Sequence, residues 1–460
     1  MNNNPNHKLE IRNLEYSSEI ANQLFAPISH IPWAMLLRSA SEEHPDNRYD
    51  ILVANPVATI ETLGDISHLR SPNSKGESFE DPFTLVEQYI DKYLPNQEPV
   101  EALPFIGGAL GYFSYDLGRR VEKLPADAIH DIDVPDMAIG IYDWALIVDH
   151  KLQRATLVGL NIDSKHTWLM DQQLFAPEHE TPFQLQSDWC SNMLEKEYQQ
   201  NIESIHEYLL SGDCYQINLT QRFSAKYHGN EWDAYLKLEK ANKAPFSAFI
   251  RTEHGAILSL SPERFLQLNE GKIETKPIKG TRPRHSEAKK DSLIALELQN
   301  AEKDQAENLM IVDLLRNDIG RVAKAGTVKV PHLFEIESFP AVHHLVSTIE
   351  AKLDINYSAC DLLRACFPGG SITGAPKVRA MEIIEELEPH RRSVYCGSIG
   401  YISRCGKMDS SITIRTLIAH QQKIYAWAGG GIVADSQWQS EYQETYDKLS
   451  KILPILKQGA

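Results

Sequence analysis

Between Ser29 and Leu160 the apolar positions come in short runs of strand length, RYDILVANP, ATIETLGD, FIGGALGYFSYD, MAIGIYDWALIVDH and RATLVGL, parted by turn formers. SPNSKGESFED among them is polar and turn-rich, which predicts a surface loop. From Asn161 to Gln186 the pattern fades into Pro, Gln, Asp and His, and a boundary between two lobes is expected there. Helical spacing then takes over at Ile202, Ile205, Tyr208 and Leu209, with Gly212 placed to close the helix. Beyond it CYQINLTQRFSAKY, AFIRT, AILSLSP, KIETKPIKGT, GTVKVPHL, VYCGSIGYIS, SSITIRTLIAH and KIYAWAGGGIV predict strands, and residues 292–316, 377–387 and 441–456 predict helices. Runs of neighbouring strands, without strict strand-helix alternation, point to an α+β antiparallel architecture.

Length and charge narrow the partners. A chain of 460 residues exceeds the size at which one core usually stops growing, so two lobes are expected. Nothing approaches the roughly 18 consecutive apolar residues of a membrane span. MNNNPNHKLE lacks the basic and apolar segments of a secretion signal and reads as a short disordered tail, so a cytoplasmic protein is expected. A formal charge of −17 with no basic stripe argues against nucleic acid. An anionic substrate would therefore need a few placed cations, or a metal ion on carboxylates. The six cysteines, Cys190, Cys214, Cys360, Cys366, Cys396 and Cys405, show no C-x-x-C spacing and read as buried thiols.

Several residues stand out against this background. Glu307 shares a helical stripe with Met310, Ile311 and Leu314, so its carboxylate leaves from an apolar face, as in a buried ion pair or beside a helix end. Glu441 and Glu444 lie three apart near the start of the last helix and project on one face, by default a solvated one. Brought together, the three would make a hard, oxygen-only site suited to magnesium. FPGGSITGAPK invites a phosphate-loop reading, but Gly374 is followed by Ala375-Pro376-Lys377 and not by Lys-Ser/Thr; only anion binding at the helix N-terminus stays open, with Pro376 in its first turn. Gly429, Gly430 and Gly431 let a backbone approach a ligand closely, or mark a bulge. Arg415 lies in an otherwise apolar strand and needs an anion, from protein or ligand. Lys279, between apolar and small residues, is either a snorkelling surface lysine or a desolvated nucleophile.

PIKGT, AENLMIVDLLRNDIG, FPGGSITGAPK, GSIGYIS, TIRT, AGGGIVADS and EYQET occur in the order seen in chorismate-using enzymes, and the chain resembles that family from about Lys196 to Leu453. HIPWAMLLRSA and FIGGALGYFSYDLGR resemble its amino-transferring members more loosely. The resemblance implies an anthranilate synthase component I-like fold, a large antiparallel β-sandwich flanked by helices, divided as a tail (1–10), an N-terminal lobe (11–165), a linker (166–190) and a chorismate-binding catalytic domain (191–456). It implies Mg2+ on Glu307 and Glu444, with Glu441 reaching the ion through water. It implies Tyr395, Arg415 and Gly429 to Gly431 on the enolpyruvyl carboxylate, Gly280 and Thr281 at the substrate, His344 near the departing hydroxyl, and Glu263 as acid and base. Water-adding members carry a lysine where this chain has Gln216, which implies ammonia as nucleophile, from a separate glutaminase subunit. Anthranilate synthases resemble PIAGT where this chain has PIKGT, so Lys279 implies the aminodeoxychorismate synthase branch, a covalent lysine intermediate and a role in 4-aminobenzoate and folate biosynthesis. The alternatives are an anthranilate synthase component I and a non-catalytic scaffold for the glutaminase. A tryptophan site at Leu37, Ser39, Pro245 and Phe246 is also implied; Arg38 and APFSAF depart from feedback-inhibited relatives, which favours a structural ligand there.

Overall fold

The computed structural model describes residues 8–39, 47–100, 102–174, 181–339 and 342–457. Among these, two large antiparallel sheets dominate. The first has thirteen strands, running in space from Glu10–Leu14 through Arg154–Gly159, Trp144–Asp149, Tyr49–Val53 and Met35–Arg38 to Phe246–Arg251, Ala256–Ser261, Thr416–His420, Lys423–Ile432 and Gln216–His228. The second has twelve, from Ile278–Pro283 through Val342–Lys352, Lys272–Thr275, Arg264–Asn269, Met408–Ile412 and Ser398–Ser403 to Gly108–Phe113, Met137–Tyr142, Ala58–Leu63, Ile66–Ser71 and Ser74–Ser78. The fold is the α+β sandwich that the sequence implied.

Both sheets run unbroken from the N-terminal segment into the C-terminal one. Met35–Arg38 pairs with Phe246–Arg251, and Gly108–Phe113 pairs with Ser398–Ser403. One core lies between the sheets and another on the outer face of the first sheet. Successive residues of a strand point to opposite faces, so Ala248 and Ile250 enter the inner core while Phe249 enters the outer one. Ala145 and Ile147 likewise point inward, against Trp144, Leu146 and Val148 outward. Burial on both faces is why these strands read as apolar runs and not as alternating patterns. Each fully buried Leu, Ile or Phe contributes roughly 1.5–3 kcal/mol over an exposed one.

Several expected elements divide or shift. MAIGIYDWALIVDH becomes two strands in different sheets, with the crossing at Asp143; SSITIRTLIAH does the same, with the crossing at residues 413–415. Arg415 thus lies between strands, at φ +50°, and not within one. The helix expected over 292–316 is two, Ala288–Gln299 and Glu302–Gly320, parted at Asn300, whose side-chain amide donates to Leu296 O. The last helix ends early, giving Trp438–Lys448 and Leu453–Lys457. Pro376 is the N-cap of Lys377–Leu387 and not part of its first turn. Ser74–Ser78, expected as loop, is an exposed edge strand, and Ile162–Leu174 is a helix that buries only Ile162 and Leu169, too few for a legible stripe. Helix Glu195–Ser211 ends at a left-handed Gly212, as the spacing predicts. Of the cysteines, Cys190 is exposed and Cys405 half-buried, while the other four are buried. The tail expected over 1–10 lies largely outside the described residues, and Glu10 opens a strand. Among the described residues no helix is long and apolar enough to cross a membrane.

Candidate active site

Two of the chain's passages from one sheet to the other lie side by side and carry two of the predicted site residues. Glu263 stands between Ala256–Ser261 in the first sheet and Arg264–Asn269 in the second; Arg415 stands in the return passage between Met408–Ile412 and Thr416–His420. Backbone bonds knit them together: Ile412 N donates to Glu263 O at 3.1 Å, and Leu260 N donates to Arg415 O at 3.1 Å. The Ser261 hydroxyl adds a bond to Ile412 O at 2.6 Å.

Lys279 comes from the edge strand Ile278–Pro283, whose register against Val342–Lys352 shifts between Lys279 and Thr281. The bulge needs Gly280, which has φ +69° and whose added Cβ would lie 2.8 Å from both Asp304 Oδ1 and Leu298 Cδ1. Thr281 Oγ1 lies 2.9 Å from His344 Nδ1, and Phe339 packs against the His344 ring. Lys279 is half-buried as a residue, but its amine is desolvated, which lowers its pKa; the charges of Glu307 and Glu263 oppose that shift without reversing it. Burial likewise raises the pKa of Glu263, against the pull of Lys279, Ser371 and Lys448. Both shifts run towards the uncharged form, the direction in which an amine gains as a nucleophile and a carboxyl as an acid.

Ser371, which the sequence did not single out, touches both. Its hydroxyl donates to Glu263 Oε1 at 2.9 Å, and its carbonyl accepts from the Lys279 amine at 3.4 Å. The only signal was its place inside FPGGSITGAPK, read as an anion loop. Lys377 in the same segment is buried and spent on Asp318 Oδ2 at 2.5 Å and Cys366 O at 3.1 Å.

Arg415 is the reverse case. No carboxylate among the described residues pairs with it, and burial alone lowers its pKa. A half-buried guanidinium with no carboxylate beside it is free to pair with an anion from outside. Beside it runs Lys423–Ile432, which pairs with Gln216–His228 through Ile432 but with Thr416–His420 only as far as Ala426. From Trp427 onward, alternate N–H groups therefore face the gap beside Arg415. Tyr395 stacks on Trp427 with centroids 5.8 Å apart and planes at 7°, and its buried phenol is held well above its usual pKa.

Close approach of backbone accounts for Gly429, and side-chain ends crowd Gly430 and Gly431. A Cβ on Gly429 would sit 2.1 Å from Leu219 O, and one on Gly431 would sit 2.0 Å from Nε2 of the buried Gln216. At Gly430 the neighbours are Glu441 Oε2 at 3.2 Å and Glu444 Oε1 at 3.4 Å, so a bare backbone leaves room where two carboxylates converge. Glu441 Oε1 accepts from Ser436 Oγ at 2.6 Å. Glu444 pairs at 2.6 Å with Lys448, whose amine also donates to Gly429 O at 2.7 Å. Burial raises the pKa of Glu307 and of Glu441, and their mutual charge adds to the shift of Glu307.

As the side chains stand, no three His, Cys, Asp or Glu among the described residues are close enough to hold a metal ion. The donor set nevertheless fits a hard divalent cation. All donors are carboxylate oxygens, two of them converge over Gly430, and Glu307 shares their field.

The residues of the expected tryptophan site come together elsewhere. Leu37, Ser39, Pro245 and Phe246 line a cavity of about 470 Å³ between the sheets, with Arg264, Tyr401 and Asp409. It holds none of the residues around Lys279. Glu263 faces Ser371, while its neighbour Arg264 pairs with Asp409 at 3.0 Å in the cavity wall.

The sequence pattern of the chorismate binding enzymes matches residues 37–454. The aminodeoxychorismate synthase component 1 of Escherichia coli K12 is 56% identical over 445 residues, 96% of this chain and 98% of that protein. The protein of the same name from Klebsiella aerogenes is 57% identical over the same shares. Among solved structures, anthranilate synthase component I from Streptococcus pneumoniae superposes with a TM-score of 0.78 at 33% identity, over 89% of this chain and 93% of that one.

Proposed function

The chain belongs to the chorismate binding enzyme family, in its aminodeoxychorismate synthase component 1 branch, and on that premise we propose that it replaces the C4 hydroxyl of chorismate with an amino group. It is a chorismate-using, amino-transferring enzyme. The observation that carries the finer reading is that Ser371 contacts both the Lys279 amine and the buried Glu263 carboxyl, near Arg415, which pairs with no carboxylate among the described residues.

In this reading the Lys279 nitrogen bonds to C2, both ring double bonds shift one place along the ring, and the C4–O bond breaks. Glu263 gives its proton to the departing oxygen, which leaves as water. Ammonia then bonds to C4, both ring double bonds move back, the electron pair of the C2–N bond returns to Lys279, and Glu263 takes a proton from the new amino group. Acid and base assistance of this kind is worth about 10²–10⁴ in rate. Arg415, Tyr395 and the backbone of Gly429 to Gly431 hold the enolpyruvyl carboxylate, Gly280 and Thr281 border the ring, and His344 lies near the departing hydroxyl. Glu307, Glu441 and Glu444 would hold magnesium, which when bound supplies positive charge for the ring carboxylate. Fixing both carboxylates keeps the ring aligned between Lys279 and Glu263.

Ammonia comes from a separate glutaminase subunit in a heterodimer, the setting is cytoplasmic, and the product feeds 4-aminobenzoate and folate synthesis. Tryptophan fills the cavity between the sheets as a structural ligand. The test is mass spectrometry of the product formed from chorismate, magnesium and ammonium at mildly alkaline pH, with and without aminodeoxychorismate lyase. 4-Aminobenzoate that appears only with lyase is expected; anthranilate formed without lyase would overturn the assignment of C4.

A further inference from the structure

We infer that Ser371 is a positioning residue that sets the working separation of acid and nucleophile, a role that rests on the covalent reading above. Its hydroxyl holds Glu263 and its carbonyl holds the Lys279 amine, so a single residue fixes both groups. Accepting one N–H of a neutral amine leaves the nitrogen lone pair free for the ring.

The turn that carries Ser371, Gly370–Ile372, is itself immobilised. Arg392 Nη1 donates to Ile372 O at 2.9 Å, Thr373 Oγ1 donates to Gly369 O at 3.0 Å, and Asn218 N donates to Thr373 O at 2.8 Å. Helix Glu302–Gly320 presses on it from one side, since a Cβ on Gly370 would lie 2.5 Å from Leu314 Cδ2. Strand Met408–Ile412 closes the other, where a Cβ on Gly369 would lie 2.8 Å from Ile412 Cδ1. A group held this firmly can preorganise what it touches.

The hydroxyl also stands where charge develops. When Glu263 releases its proton to the departing oxygen, negative charge grows on the carboxylate that Ser371 already faces, and the hydrogen bond strengthens as the C4–O bond breaks. Such a bond favours the transition state over bound substrate, so its loss falls on kcat and not on KM.

The test is Ser371→Ala, which keeps the carbonyl and removes the hydroxyl. The expected result is a fall in kcat of about 10- to 100-fold, with KM for chorismate within about threefold, and recovery of most of the rate in Ser371→Thr. Because Ser371 acts through Glu263, adding Ser371→Ala to Glu263→Ala should cost less than about twofold more. A wild-type rate in Ser371→Ala, or losses that multiply in the double variant, would overturn the inference. Should Ser371→Ala not fold, Ser371→Cys keeps the volume with a poor donor; it is expected to stay slow where Ser371→Thr recovers, and equal rates in the two would count against the role. Full activity in Glu263→Ala removes the acid assignment itself, whereas an inactive Glu263→Ala beside a fully active Ser371→Ala removes only the role of Ser371.

Discussion

The chain passes between its two sheets at Asp143 and again at Arg415, and both passages place a charged side chain at the margin of the sandwich. At Asp143 the charge is answered from within: Lys165 Nζ lies 3.0 Å from Oδ1, and the backbone oxygen accepts from Leu160 N at 2.9 Å. At Arg415 no carboxylate among the described residues answers, and the neighbouring passage carries Glu263 with its pKa raised by burial. A sheet crossing is a place where the backbone leaves its ladder and a polar residue can sit at the edge of the core. Whether it becomes structure or chemistry depends on whether the protein itself supplies the opposite charge.

Substitutions at the two kinds of crossing should therefore separate turnover from stability. The largest effect is expected for Glu263→Ala, a loss of about 10²–10⁴ in kcat with an unfolding temperature within a few degrees of the parent, read by steady-state kinetics and calorimetry. Arg415→Met should raise KM for chorismate by about 10- to 100-fold while leaving thermal stability equal or higher, since it removes a desolvated charge that no carboxylate among the described residues balances. Asp143→Ala should do the opposite, costing about 1–3 kcal/mol in denaturant unfolding with kcat unchanged. The smallest effect is one of reactivity. The pKa of Lys279 is lowered by burial, so its uncharged fraction at a given pH exceeds that of an exposed lysine and grows as pH rises through the lowered value. Reductive methylation at pH about 8 should then label Lys279 ahead of exposed lysines, and chorismate should protect it; labelling no faster than that of Lys240 would contradict a desolvated amine.

Much of this was legible because the site residues sit in segments with distinctive local chemistry. PIKGT placed Lys279 next to the glycine that its bulge needs, and three successive glycines foretold close approach, although their role as space for two carboxylates depends on a helix that no strand pattern mentions. The crossings were not legible. Up to their ends MAIGIYDWALIVDH and SSITIRTLIAH are apolar or small except at Asp143 and Arg415, and a strand buried on both faces looks the same whether it stays in one sheet or changes sheets midway. Ser371 was invisible for a different reason: its contacts reach Glu263 and Lys279 across a long stretch of chain, and a serine among glycines reads as a turn former. Helix Ile162–Leu174 was missed because its partners cover only two of its residues.

The pairing of Gly108–Phe113 with Ser398–Ser403 also has a meaning in time. During synthesis the earlier strand can pair at once with Met137–Tyr142, but its other edge must wait, open, while most of the chain is still being made. Met35–Arg38 waits in the same way for Phe246–Arg251. Closing such distant ladders is slow, and their apolar edges stay open to wrong partners until the last strands leave the ribosome. Assembly of this sandwich should therefore be post-translational and sensitive to chaperone supply, and a nascent chain stalled before residue 398 should remain open to protease at its earliest strands.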